Sequence, residues 1–133
     1  MQQPNRHLGL HHVALVVEDL PAARRFYVEL LGFEVEWEPD PDNLYLSSGS
    51  DNLALHRGEP VTDGGRLDHI GVLVTDAHQV TAWEEYLAHH GVEIAQKTRT
   101  HRDGATSCYV RDPCGTLVQI LHHPPISPTL SRP

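Results

Sequence analysis

Apolar residues recur along this chain first with a strand rhythm and then with a helix rhythm. Val13 to Val17 is a short, β-branched run of the kind that suits a strand. Asp19 follows, and its carboxylate can cap a helix by accepting from an orphan backbone N–H. Pro21 fits the first helical turn, where its missing donor costs nothing. Ala23, Phe26, Tyr27, Leu30 and Leu31 then fall at i, i+3, i+4, i+7 and i+8, which predicts one helix face turned toward a core. Gly32 is placed to end that helix in the left-handed conformation. Three strands are predicted next, Phe33–Trp37, Leu44–Ser47 and Asn52–His56, with Glu38–Asn43 as a loop around Pro39 and Pro41.

The same succession then repeats. Shifted by 57 residues, Leu10-His11-His12-Val13-Ala14-Leu15-Val16-Val17-Glu18-Asp19 falls on Leu67-Asp68-His69-Ile70-Gly71-Val72-Leu73-Val74-Thr75-Asp76. His12 meets His69 and Asp19 meets Asp76. With two more residues inserted, Gly32-Phe33-Glu34-Val35 meets Gly91-Val92-Glu93-Ile94. A second helix is therefore predicted from Thr75/Asp76 to Gly91, with Val80, Trp83 and Leu87 on its inner face. Strands over Val92–Thr98, Ser107–Arg111 and Leu117–His122 follow, separated by the turn sequences His101-Arg102-Asp103-Gly104 and Asp112-Pro113-Cys114-Gly115. A two-copy duplication points to a pseudo-symmetric domain. The expected fold class is α+β, two tandem βαβββ modules whose mixed sheets curl around a cleft. Residues 1–133 are expected to form a single domain, with module one over about 8–57 and module two over about 66–123. Arg57 to Arg66 reads as the linker, and 124–133, with four prolines, as a loosely held tail.

Composition narrows the function. Lys plus Arg is 10 against 18 Asp plus Glu, a formal charge of −8, so a duplex nucleic-acid partner is not expected. No apolar stretch approaches the roughly 20 residues that span a bilayer. Met1 to Leu8 is polar and lacks a signal-peptide apolar region. The expected location is cytoplasmic, where Cys108 and Cys114 would stay reduced; a disulfide across the turn between them is the alternative. Histidine is abundant, 11 residues, so position and not mere presence has to pick out a functional one.

Leu10-His11-His12-Val13-Ala14-Leu15 with Asp19-Leu20, a helix bearing Phe26-Tyr27, and Leu31-Gly32-Phe33 resembles the opening module of the vicinal-oxygen-chelate superfamily, the glyoxalase, bleomycin-resistance and dioxygenase group. Leu67-Asp68-His69-Ile70-Gly71 resembles the start of its second module, and Tyr109 to Ile120, around Asp112-Pro113-Cys114-Gly115, resembles its closing hairpin and last strand. The resemblance covers about residues 8–123. It implies a glyoxalase-like fold, a small-molecule substrate, a homodimer, and a divalent metal ion (zinc, nickel, manganese or iron) held by residues of the first and last strands of each module.

Carried onto this chain, that ligand set is His12, His69 and Gln119, with His56 as a fourth. An offset of 65 sets Ala54 opposite Gln119 and an offset of 63 sets His56 there, so the module-one closing position is open. The family's metal-dependent members usually have Glu at the closing position. Gln119 cannot act as the base that a glyoxalase-type proton transfer needs. Low lactoylglutathione lyase activity is therefore expected unless His56 or His101, the candidate catalytic residues, supplies the base. Extradiol cleavage fits poorly too, because those relatives hold iron with two His and one carboxylate.

His101, Arg102 and Arg99 are candidates for contacting an anionic substrate, with a solvated turn as the plainer alternative. Tyr45 and Tyr109 occupy equivalent strands and read as core residues or pocket lining. Trp37 and Trp83 read as packing or interface residues. Three functional classes stay open: a metal-dependent lyase, isomerase or dioxygenase-like enzyme; a metal-free sequestering protein of the bleomycin-resistance type; and a regulatory or structural dimer.

Overall fold

In the computed structural model, which describes residue 4 and residues 10–60, 67–101 and 104–124, each half of the duplication builds one four-stranded mixed sheet with a helix on one face. Module one runs β1 (His12–Val17), α1 (Leu20–Arg24, continuing as a π-helix over Arg25–Leu30), β2 (Glu34–Asp40), β3 (Asn43–Ser47) and β4 (Asn52–Arg57). Module two runs β5 (Ile70–Leu73), α2 (Ala77–His89), β6 (Ile94–Thr100), β7 (Thr106–Arg111) and β8 (Leu117–His122). The sheet orders are β1-β4-β3-β2 and β5-β8-β7-β6. In each, the outer first strand pairs in parallel with the last, and the other pairings are antiparallel. The modules fall in separate compact units, Met1–Pro60 and Val61–Pro133.

The helices begin and end as their sequences dictate. Asp19 accepts from the Ala22 N–H at 3.0 Å and Asp76 from the Gln79 N–H at 3.2 Å, each satisfying an orphan donor. Gly32 and Gly91 take φ of 89° and 82° after the helices, a region that L side chains rarely enter. The expected α-helical face of module one is modified. The Leu31 N–H donates to the Phe26 carbonyl, one residue beyond α spacing. The wider turn buries Phe26 and Tyr27 together, edge to face at 4.8 Å, with Tyr27 also edge-on to Phe33; Leu31 is left half-buried.

Strand alternation then divides each sheet into a core face and an open face. In module one, Leu15, Val17, Leu44, Leu46, Leu53 and Leu55 are buried with the helix, while His12, Ala14 and Val16 are exposed. In module two, Cys108, Val110, Val118 and Ile120 are buried with Val80 and Leu87 of α2. Trp83 is only half-buried.

Several expected boundaries move. β2 extends past Trp37 to Asp40, and the loop expected over Glu38–Asn43 shrinks to the turn at Pro41–Asp42. Pro39 is tolerated because β2 is an edge strand, where a missing N–H need cost no ladder bond. Asp40 clamps the turn, accepting from the Asp42 N–H at 2.8 Å and the Asn43 amide at 3.0 Å. β6 begins at Ile94 and not Val92, because the Val92 N–H closes the end of α2 on the Leu87 carbonyl. Both cysteines are free thiols. Residues 61–66 of the linker, Arg102, and residues 125–133 of the tail lie outside the described residues.

Candidate functional site

The registers decide which residues of the two modules correspond. Two residues after His12, Ala14 pairs with Ala54; two residues after His69, Gly71 pairs with Gln119. The module-one counterpart of Gln119 is therefore Ala54. His56 lies one face-sharing step farther along β4, opposite Val16. Four residues of strand, about 13 Å at ~3.3 Å each, separate the register of His12 from that of His56. Within module one these two imidazoles cannot grip one ion, since each metal–nitrogen bond is only about 2.1 Å. Instead the Nδ1 of His56 meets the Asn43 side-chain oxygen at 2.6 Å, and its ring stands edge-on to Tyr45.

His12 is exposed, with its Nδ1 3.0 Å from the Nδ1 of His11. His69 is held on one side by Asp68, whose carboxylate lies 2.7 Å from Nδ1. The Tyr109 ring packs edge-on to His69 at 5.5 Å, and Tyr109 pairs with Gln119 across β7 and β8. An imidazole with a carboxylate on Nδ1 presents Nε2 as its free donor, the arrangement that orients histidines toward a metal. Gly71 leaves the space in front of the Gln119 amide open, for a Cβ there would lie 3.9 Å from Oε1. His69 and Gln119 thus share the open face of module two as two neutral donors, and a divalent ion fits their chemistry. Among the described residues, no group of three or more His, Cys, Asp or Glu is placed to hold a metal.

The same face carries a hollow of about 890 Å³. Arg99, His101, Tyr109, Gln119 and His123 form its polar wall, and Ala105 and Leu121 its apolar part. Sequence alternation alone would not gather this set. Ile94 pairs with Val110 on the core face, so simple alternation would put Gln96 there as well. A register shift between them pairs Gln96 with Tyr109 instead. A second shift pairs Arg99 with Ser107, turning the guanidinium to the open face while Thr98 bonds Glu84 of α2 through its N–H and hydroxyl. Such shifts re-aim side chains. His101 is half-buried, and its Nε2 lies 2.5 Å from the Ser107 hydroxyl. Ser107 is itself buried, so it positions the imidazole and is not exposed as a nucleophile.

The structure therefore brings His101 to the same hollow as Gln119 and sets His69 beside it through Tyr109. Asp68, Gly71, Ser107 and His123 complete the surroundings and were not singled out by sequence. Asp68 carried a signal, as the residue immediately before the repeated histidine. Ser107 and His123 carried none, since only the register shows them near His101 and the hollow. Burial and nearby Glu84 push the Cys108 thiol up to about 11, consistent with an inert core group.

None of the curated proteins matches the chain. Among solved structures it is similar to lactoylglutathione lyase from Agrobacterium tumefaciens, with 20% identity, TM-score 0.73, and 87% of this chain and 94% of that one covered. It is also similar to a glyoxalase/bleomycin resistance protein/dioxygenase from Alicyclobacillus acidocaldarius (22% identity, TM-score 0.67, coverage 92% and 95%). A glyoxalase-related enzyme from Fulvimarina pelagi shares 21% identity at TM-score 0.71, with coverage 89% and 90%. At these identities the likeness establishes the glyoxalase-like fold. A family model, Glyoxalase/Bleomycin resistance protein/Dioxygenase superfamily, matches residues 9–120, a span that includes both repeated histidines and Gln119. With the paired βαβββ modules and that match together, the chain belongs to the glyoxalase/bleomycin resistance protein/dioxygenase superfamily.

Proposed function

We propose that this chain is a small-molecule enzyme whose substrate lodges in the module-two hollow and presents two adjacent oxygens to a divalent ion. His69 and Gln119 are the proposed donors from module two. His12 holds the matching place in the module-one repeat, and His56 is left out of the ligand set. The observation that carries the reading is the Asp68–His69–Tyr109–Gln119 arrangement on one open face, with His69 held through Nδ1 and Gly71 leaving the amide accessible. When bound, such an ion supplies polarisation of a substrate oxygen and stabilises negative charge on it.

The chain's own residues do the rest. Tyr109 packs against the His69 ring and limits its rotation. His101 and His123 are the imidazoles in the hollow able to hold or move a proton, because an amide such as Gln119 has no titratable proton in this range. Lactoylglutathione lyase turnover is accordingly expected to be low. Homodimerisation and a cytoplasmic location belong to this proposal; light scattering reads the first and fractionation the second. No helix among the described residues is long and apolar enough to cross a membrane.

A second reading has a specific observation behind it. Ala54 and Gln119 leave both closing positions without a carboxylate, and neutral donors hold a divalent ion more weakly than charged ones. On that reading the chain sequesters a ligand without metal. Elemental analysis separates the two, on untagged protein purified without chelator beside the His12→Ala/His69→Ala double variant. About one ion per chain in the parent, lost in the variant, supports the enzyme. No ion in either, after addition of nickel, zinc, manganese or iron(II), overturns it in favour of the sequestering protein.

A further inference from the structure

We propose that Arg99 and His101 form an oxyanion subsite in the module-two hollow that takes a carboxylate group of the substrate. The inference rests on the hollow being the binding site, as proposed above, but not on the metal. Arg24, Arg25, Arg57 and Arg111 pair with Glu38, Glu29, Asp42 and Glu93. Arg99 makes no ion pair with a carboxylate among the described residues, in a chain where acidic groups outnumber basic ones 18 to 10. Among the described residues its one side-chain hydrogen-bond contact is His101, 3.5 Å from guanidinium nitrogen to Nδ1, at the long limit for such a bond. The second register shift of β6 spends an extra residue to aim this arginine at the open face.

His101 is fixed from behind. Buried Ser107 holds its Nε2 at 2.5 Å, which turns the Nδ1 edge toward Arg99. The pair thus offers a planar fork and an adjacent ring nitrogen on one wall of the hollow, with Gln119 and Tyr109 on the strands beyond. A guanidinium fork matches a carboxylate bidentately. One permanent positive charge balances one carboxylate; a phosphate dianion would leave a negative charge uncompensated in a protein of net charge −8. The substrate class this selects is a small carboxylic acid.

The test uses chelator-treated protein, so that it reads the subsite alone. Histidine ring ¹H–¹³C NMR, with the His101 signal assigned from His101→Gln, follows titrations with sodium lactate, neutral lactamide and inorganic phosphate at constant ionic strength. Lactate is expected to shift the His101 signal saturably, and lactamide is not. Arg99→Gln is expected to weaken lactate binding ten-fold or more. Lys97→Gln, which removes the same charge from the same strand outside the hollow, is expected to change it less than two-fold, with unaltered melting in both variants. Equal response to lactamide, equal losses in the two charge variants, or phosphate binding ten-fold tighter than lactate would overturn the proposal. A protein that takes up no metal yet shows the Arg99-dependent lactate response loses the enzyme reading and keeps the subsite.

Discussion

The two modules carry the same scaffold and chemically different open faces. Their strand orders match, their first register shifts fall at Val35/Trp37 and Ile94/Gln96, and their second at Trp37/Asp40 and Gln96/Arg99. Trp37, Tyr45 and Ala54 of module one therefore stand where module two has Gln96, Tyr109 and Gln119. Trp37 stacks on Tyr45 at 5.2 Å and His56 closes the row edge-on, giving an aromatic face. Module two has Arg99 where module one has Asp40, and replaces the two-residue turn after it by the longer His101–Ala105 connection. Duplication thus preserved the buried leucine and valine positions, which packing constrains, and left the open faces to diverge, because substitutions there displace little of the core.

The largest expected effect tests the shared scaffold. Leu55 and Ile120 occupy equivalent places on β4 and β8, each essentially without exposure. Leu55→Ala and Ile120→Ala should each lower stability by about 2–5 kcal/mol, the usual cost of such a cavity. Urea denaturation checks this. A loss under about 1 kcal/mol in one module only would break the equivalence of the two cores.

The next effect tests the divergence directly. Ala54 is only 2% exposed although it is the module-one counterpart of Gln119. Tyr45 fills the place beside it and pairs with it in register. Ala54→Gln should therefore cost about 1–3 kcal/mol by overpacking. Gln119→Ala, at the half-buried counterpart, should cost under about 1 kcal/mol while abolishing nickel uptake. Denaturation and elemental analysis on the two variants read both halves of the prediction. A freely tolerated Ala54→Gln would show that module one kept a usable ligand position after all.

Most of the scaffold was legible in sequence, because its signals are local: the Asp19 and Asp76 caps, the Gly32 and Gly91 stops, and the short apolar runs of β1, β4 and β8. Membership of the family was legible too, through the repeated histidine and the Asp-Pro-Cys-Gly turn. The open faces were less so. Alternation predicts a face only within an unbroken ladder, and β2 and β6 are each broken twice. That is why Arg99 could be named as a candidate but not placed, and why the choice between Ala54 and His56 needed the β1–β4 register. Ser107 was invisible as a partner of His101, since no spacing rule links a bulged strand to the turn that follows it.

A pH effect sharpens the comparison from the core side. Cys108 takes the buried place on β7 that Leu44 holds on β3, so it is a thiol in a leucine's position. Its folded value of about 11 lies above the ordinary 9.0, from burial first and Glu84 second. The unfolded chain then releases this proton first, so stability is retained below pH 9 and falls as pH rises from about 9 to about 11. Cys108→Ala should flatten that part of the pH–stability curve, and at pH 8 iodoacetamide should modify half-buried Cys114 well before Cys108. Equal labelling of the two in native protein would contradict an inert core thiol.

The smallest effect on stability reaches furthest into the site. Gly71 pairs with Gln119 where Ala14 pairs with Ala54, so Gly71→Ala gives module two the residue that module one already has. The new Cβ would lie 3.3 Å from the Leu121 Cδ2, the end of a flexible side chain that can move aside, and 3.9 Å from the Gln119 Oε1. Reduced freedom of the unfolded chain favours alanine by about 0.4–1 kcal/mol, and the crowding opposes it. The melting temperature should therefore move by no more than a few degrees. Nickel binding should nevertheless weaken several-fold, because the methyl group narrows the approach to the amide oxygen and displaced Leu121 intrudes on the hollow. Unchanged nickel affinity in a stable Gly71→Ala variant would remove Gln119 from the ligand set. It would also leave the glycine as an accident of divergence between two otherwise matched strands.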